Sequence, residues 1–140
     1  MPQNKIIESL LETCRKEANL LKSKQGFSLS SYLSDVELQH VVERALQNAI
    51  QACIDIGRRI ISQHRYPAPE DYHGVFEVLF QKKVISEDLY GKMNEMVGLR
   101  NALVHEYRLI RSEEIYRHLQ ESLPIFEDFA KSVVKFLGEG

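Results

Sequence analysis

Four prolines and seven glycines in 140 residues leave little to punctuate the chain. Few stretches alternate apolar and polar residues with the period of two that a half-buried strand requires. A sheet-rich fold is therefore set aside, and the chain reads as mostly helix. Cysteine is scarce too: Cys14 and Cys53 are the two present. Their separation matches no metal-ligand pattern, and both stand in helical runs beside apolar neighbours. They read as small buried hydrophobes in a reduced protein rather than as a disulfide. No apolar run approaches the roughly 18 residues of a membrane span, and the N-terminus has no apolar leader segment. The expectation is a cytoplasmic protein with no membrane contact. Neither charge sign is in excess: 18 Lys and Arg stand against 20 Asp and Glu, for a net charge of -2. No global basic field advertises nucleic-acid binding, although a local basic cleft stays open. A glycine-rich phosphate loop, a His/Cys metal cluster and a nucleophile elbow are all missing, and no metal or cofactor is expected.

What is present is ordinary for a soluble globular chain: 44% hydrophobic and 27% charged residues, long enough for one domain with a proper core, spanning 1–140. Ile6, Ile7, Leu10, Leu11, Cys14, Ala18 and Leu21 recur at spacings of three and four, predicting a helix over about 4–24. A serine-rich loop over 27–34 follows, apolar enough at Phe27, Leu29, Tyr32 and Leu33 to pack down. Ser34 with Glu37 resembles a capping box at the start of a long helix over 35–64. Its apolar arc covers more than half the wheel, where a surface helix needs about a third. This helix should bury two sides, one in its own bundle and one against a neighbour or a partner chain. Arg58, Arg59 and Arg65 give it a basic end, which either complements the helix C-terminus or holds phosphate. After the break at 66–69, helices are predicted over 70–82, from Ser86 to Tyr107, and from Ser112 onward, the last bent or split by Pro124 near Glu121. Five helices with short links argue for an all-α up-and-down bundle.

The chain is organised around Arg100-Asn101-Ala102-Leu103-Val104-His105-Glu106-Tyr107. On a wheel of residues 89–107, Leu89, Met93, Met96, Leu103 and Tyr107 form an apolar arc with Arg100 near its centre. A guanidinium cannot shed its charge, so this arginine is either paired or faces a cleft. A narrower polar arc carries Asn94, Gly98, Asn101 and His105 and could admit a substrate or another helix. Arginine can grip a phosphate through two hydrogen bonds and stabilise charge in a transition state. Histidine titrates near neutral pH and can take a proton from a ribose 2′-hydroxyl or give one to a leaving oxygen. Together they suit phosphodiester cleavage without a metal, with Asn101 orienting the phosphate or His105. On a straight helix Arg100 and His105 point about 140° apart, so the helix must distort before His105, or a dimer must supply a second copy. The bland alternative is a structural ion pair at Arg100 and a helix-end cap at His105.

Arg100, four residues, His105, one residue, Tyr107 matches the Arg-x4-His-x-Tyr motif of HEPN domains. With Asn101 after the arginine, the chain length, the all-α pattern and a long second helix like that around Glu43-Arg44-Ala45-Leu46, the chain resembles the HepT-like toxins of HEPN–MNT toxin–antitoxin pairs over most of its length. The resemblance implies a HEPN-like homodimer that cleaves RNA without a metal, with Arg100 and His105 as catalytic residues in a cleft between protomers and Asn101 in support. It also implies a minimal nucleotidyltransferase (MNT) antitoxin as partner, which would silence the toxin by transferring AMP from ATP to Tyr107. The added bulk and negative charge beside Arg100 should repel RNA. The rival from another class is a non-catalytic HEPN module that binds a nucleotide or serves as a subunit of the nucleotidyltransferase.

Overall fold

The computed structural model describes residues 2–105 and 110–139. Among them seven helices form and no strand: α1 (Pro2–Lys24), α2 (Leu29–Leu33), α3 (Val36–Gln63), α4 (Tyr72–Gln81), α5 (Glu87–Val104), α6 (Ser112–Glu121) and α7 (Leu123–Glu139). The two beyond the expected five have local causes. Ser28 caps one turn inside the 27–34 segment by accepting from the Ser31 N–H, which makes α2. Pro124 splits the last helix: α6 stops at Glu121, and the proline sits in the first turn of α7, where a missing N–H costs nothing.

The chain caps its helices with short polar side chains. Asp71 and Ser86 accept from Gly74 and Leu89 N–H groups at 2.7 and 3.1 Å. For α3 the cap is one residue later than the capping-box reading: Asp35 accepts from the Leu38 N–H at 3.0 Å. Ser34 instead donates back to the Ser30 and Ser31 carbonyls and closes α2. Helices α3 and α4 stop in the same way. Arg65 (φ 55°) and Lys83 (φ 62°) turn left-handed, and the N–H two residues past each cap returns to the last turn, Tyr66 to Ile61 and Val84 to Leu79.

The long helix α3 is the axis of the bundle and touches all six other helices. Ile7, Cys14 and Leu21, two turns apart on α1, are all buried against the core. Asn4 pairs with Gln63, Cys14 with Cys53, and Glu17 with Asn48, so α1 runs antiparallel to α3. The two thiols lie 3.8 Å apart, buried and unbridged, as small hydrophobes should. The wide apolar arc of α3 is accounted for inside one chain: Val42, Leu46, Ile50, Ile54, Ile56 and Ile60 are fully buried by its own neighbours. Most of that arc is therefore core within the one chain, and Val41 on its margin stays 38% exposed. Gly57 lets α4 approach, since a Cβ there would lie 2.5 Å from Val75 Cγ1. The 27–34 segment packs down as expected, with Tyr32 fully buried against Tyr116 and the Tyr116 hydroxyl donating to the Phe27 carbonyl at 2.6 Å.

Candidate active site

Helix α5 positions the chemistry. Leu89, Met93, Met96, Val97 and Leu99 bury one side of it, which leaves Arg100 and Asn101 half-buried at its last turn. Arg100 is held by neutral groups. Its Nε donates to Gln51 Oε1 at 3.1 Å, and one Nη donates to Asn101 Oδ1 at 3.1 Å. Its guanidinium carbon stands 4.9 Å from the centroid of the Tyr72 ring, at the start of α4. None of the ion pairs among the described residues involves Arg100. The structural ion-pair reading thus finds no carboxylate for it among the described residues. A guanidinium has five N–H donors, so an arginine aimed by two of them keeps others for an anion.

Two supporting residues escaped the sequence reading. Gln51 lies 49 positions upstream on α3, between Ile50 and Ala52, and Tyr72 lies on α4. No local spacing announces either. Gln51 is itself steadied, its amide donating to Asp55 Oδ1 at 3.0 Å. A chain of hydrogen bonds thus runs from Asp55 through Gln51 to Arg100.

The helix was expected to continue to Tyr107, and it stops at Val104. His105 is the residue after the helix, at φ −92° and ψ 102°, with its backbone N–H still donating to the Asn101 carbonyl at 3.1 Å. The 140° divergence of a straight helix therefore does not govern it: the imidazole leaves on extended backbone. Asn101 links both sides, its side chain on Arg100 and its carbonyl on His105. Along the same polar arc, a Cβ at Gly98 would meet nothing within 4 Å, and Asn94 Oδ1 lies 3.1 Å from His73 Nδ1. This strip of α5 is open, as the small polar arc suggested. Tyr107 falls outside the described residues. Among them, no group of three or more His, Cys, Asp or Glu side chains could hold a metal ion, and no helix is long and apolar enough to cross a membrane.

Arg100, half-buried with no carboxylate partner among the described residues, thus stands four residues before the end of α5 and five before His105, the residue after the helix. The family described as HepT-like, Ribonuclease HepT-like, matches residues 6–133. The chain belongs to this HepT-like ribonuclease family. The HepT-like chain is 31% identical over 126 residues, 90% of its length and 94% of the relative's, to a protein of Shewanella oneidensis named mRNA nuclease HepT. It is 30% identical over 132 residues, 94% of its length and 90% of the relative's, to one of Aphanizomenon flos-aquae named tRNA nuclease HepT. Among solved structures, the tri-AMPylated Shewanella oneidensis HEPN toxin in complex with MNT antitoxin superposes with a TM-score of 0.87 at 29% identity, over 93% of this chain and 97% of that one. The HEPN-like, all-α architecture of the HepT-like chain is thereby matched along nearly its whole length.

Proposed function

We propose that this chain is the toxin of a toxin–antitoxin pair, a cytoplasmic, metal-independent endoribonuclease that works as a homodimer. The observation that carries the reading is Arg100. It is positioned by Gln51, Asn101 and Tyr72, and none of the ion pairs among the described residues engages it. Such a guanidinium binds the scissile phosphate and stabilises the charge that builds on its oxygens as the 2′-oxygen attacks. His105 takes the 2′-hydroxyl proton. The 2′-oxygen–phosphorus bond forms, the bond to the 5′-oxygen breaks, and that oxygen leaves as a hydroxyl once protonated. The products are a 2′,3′-cyclic phosphate and a 5′-hydroxyl end. A homodimer cleft supplies a second His105 for the second proton transfer. Asn101 keeps arginine and histidine in register, because it touches both.

The control step follows from chain proximity. Tyr107 is two residues beyond His105. An MNT-type nucleotidyltransferase would join its phenolic oxygen to the α-phosphorus of ATP and release pyrophosphate. The resulting phosphodiester anion would compete with RNA for Arg100. The AMPylated state in which the Shewanella toxin occurs with its MNT antitoxin supports this reading.

The test begins with chain purified without any nucleotidyltransferase and incubated with RNA in the presence of EDTA. Cleavage to cyclic-phosphate ends, lost in His105→Ala at unchanged stability, is expected. Incubation with the candidate antitoxin and ATP should then add one or more AMP masses to the intact chain, with none added to Tyr107→Phe. Full RNA cleavage by His105→Ala would sink the catalytic assignment. No mass gain from an antitoxin active on another substrate would sink the modification.

A further inference from the structure

Beside the Arg100 network a groove of about 410 Å³ opens between α1 and α3, lined by Ile6, Leu10, Asp55, Arg58, Arg59 and Ser62. We propose that this groove is a phosphate-binding subsite that seats the RNA backbone flanking the bond cleaved at Arg100. The proposal rests on the ribonuclease reading above and adds where the strand runs.

Four observations carry it. Gln51, Asp55, the adjacent pair Arg58 and Arg59, and Ser62 lie along one face of α3, each step from Gln51 to Asp55, to either arginine and on to Ser62 being three or four residues. At a rise of about 1.5 Å per residue, the two arginines lie about 10–12 Å along the helix from Gln51, which holds Arg100. A single strand that places one phosphate on Arg100 can bring another to them. Second, neither Arg58 nor Arg59 takes part in an ion pair among the described residues, and both are exposed. Third, among the described residues Asp55 is the one carboxylate lining the groove, and its Oδ1 already accepts from Gln51. The same residue closes the hydrogen-bond chain to Arg100, so groove and site share a wall. Fourth, the helix-dipole account of these arginines fails on position. The last turn of α3 contains no basic residue, and the dipole effect fades beyond that turn. Ser62 adds a hydroxyl donor, and Ile6 and Leu10 give an apolar wall for a ribose or base edge. A chain of net charge -2 needs such a local cationic strip to hold RNA at all.

The experiment compares wild type, the double variant Arg58→Ala/Arg59→Ala, and the charge-keeping Arg58→Lys/Arg59→Lys. Binding of an uncleavable 2′-O-methyl RNA is followed against salt, and KM and kcat are measured on RNAs of increasing length. Two phosphate contacts on a single strand contribute about 1.4 to the slope of log affinity against log salt. The alanine variant should lose a slope of that size and weaken binding alike on all sequences. Its KM should exceed that of wild type by a factor that grows as the RNA becomes long enough to reach the groove, while kcat at saturation stays near wild type, and the lysine variant should recover the slope. An alanine variant that matches wild type in slope and KM overturns the groove and leaves Arg100 untouched. So does one that loses only its hold on the nucleotidyltransferase, which would make the groove a protein interface. Wild-type chain that neither binds nor cleaves RNA overturns the groove and the ribonuclease reading together.

Discussion

Arg100→Ala separates a catalytic arginine from a structural one. The substitution removes two hydrogen bonds to neutral amide oxygens and one ring contact. Each such bond contributes about 1 kcal/mol net, and the ring contact about 0.5–1 kcal/mol. Against this, the half-buried guanidinium no longer has to shed water, and Gln51 and Asn101, themselves half-buried, regain water as a partner. The net loss should be about 1 kcal/mol, or about 3–5 °C in Tm for a domain of this size. Removing one partner of a buried ion pair would instead cost about 3–5 kcal/mol, a fall in Tm of about 10–17 °C. Activity should fall much further than stability. Losing one group that stabilises transition-state charge lowers kcat by about 10²–10³, while the native population at 25 °C barely changes for any ordinary domain stability. Calorimetry and RNA cleavage on the same preparation decide the matter. A fall in Tm beyond about 10 °C, or cleavage within tenfold of wild type, would refute the assignment of Arg100 to phosphate.

The other predictions concern the frame that holds the site. Gly57→Ala gains helix propensity but pushes a methyl toward Val75 Cγ1. Overpacking of about 1–3 kcal/mol should win, and adding Val75→Ala should recover part of the loss in a double-mutant cycle followed by urea unfolding. Lys83 holds a left-handed backbone at φ 62° with its side chain exposed. Lys83→Gly should therefore stabilise the chain by about 0.5–1 kcal/mol, read as a rise in the urea midpoint. Burial, and then the charge of Arg117, hold the His118 imidazole below its ordinary value, opposed by Glu95, Glu114 and Glu121. Between the ordinary value near 6.5 and the depressed one, the unfolded chain binds a proton that the native chain does not. Stability should therefore fall as pH drops through and below about 6.5, and His118→Gln should flatten that slope.

What the sequence disclosed of this molecule follows the range of the interactions involved. Capping residues, Pro124 and the apolar stripes act within a turn or two, and they placed the helices to within a residue or two, apart from α2 and the end of α5. The same locality made Arg100, Asn101 and His105 legible, since all lie within one turn and a half of chain. The supports of Arg100 were not legible, because Gln51 and Tyr72 reach it across 49 and 28 positions, set by how α3, α4 and α5 cross. The width of the α3 arc was correctly read as two-sided burial. A pattern of apolar residues reports that a face is covered and not by what, and here the cover is the chain's own six other helices.

The end of α5 shows how such local and distant constraints meet. Helical periodicity continued through Tyr107, and on that reading arginine and histidine diverge. The backbone stops at Val104 instead, with Asn101 accepting the His105 N–H through its carbonyl and the Arg100 Nη–H through its side chain. One asparagine therefore fixes the relation between cation and imidazole, while Gln51 and Tyr72 fix the cation against the core. An Asn101→Ala chain would keep the helix end and the hold of Gln51 on Arg100, and lose only the side-chain link. If the site works as a unit, that loss should appear in kcat with little change in Tm.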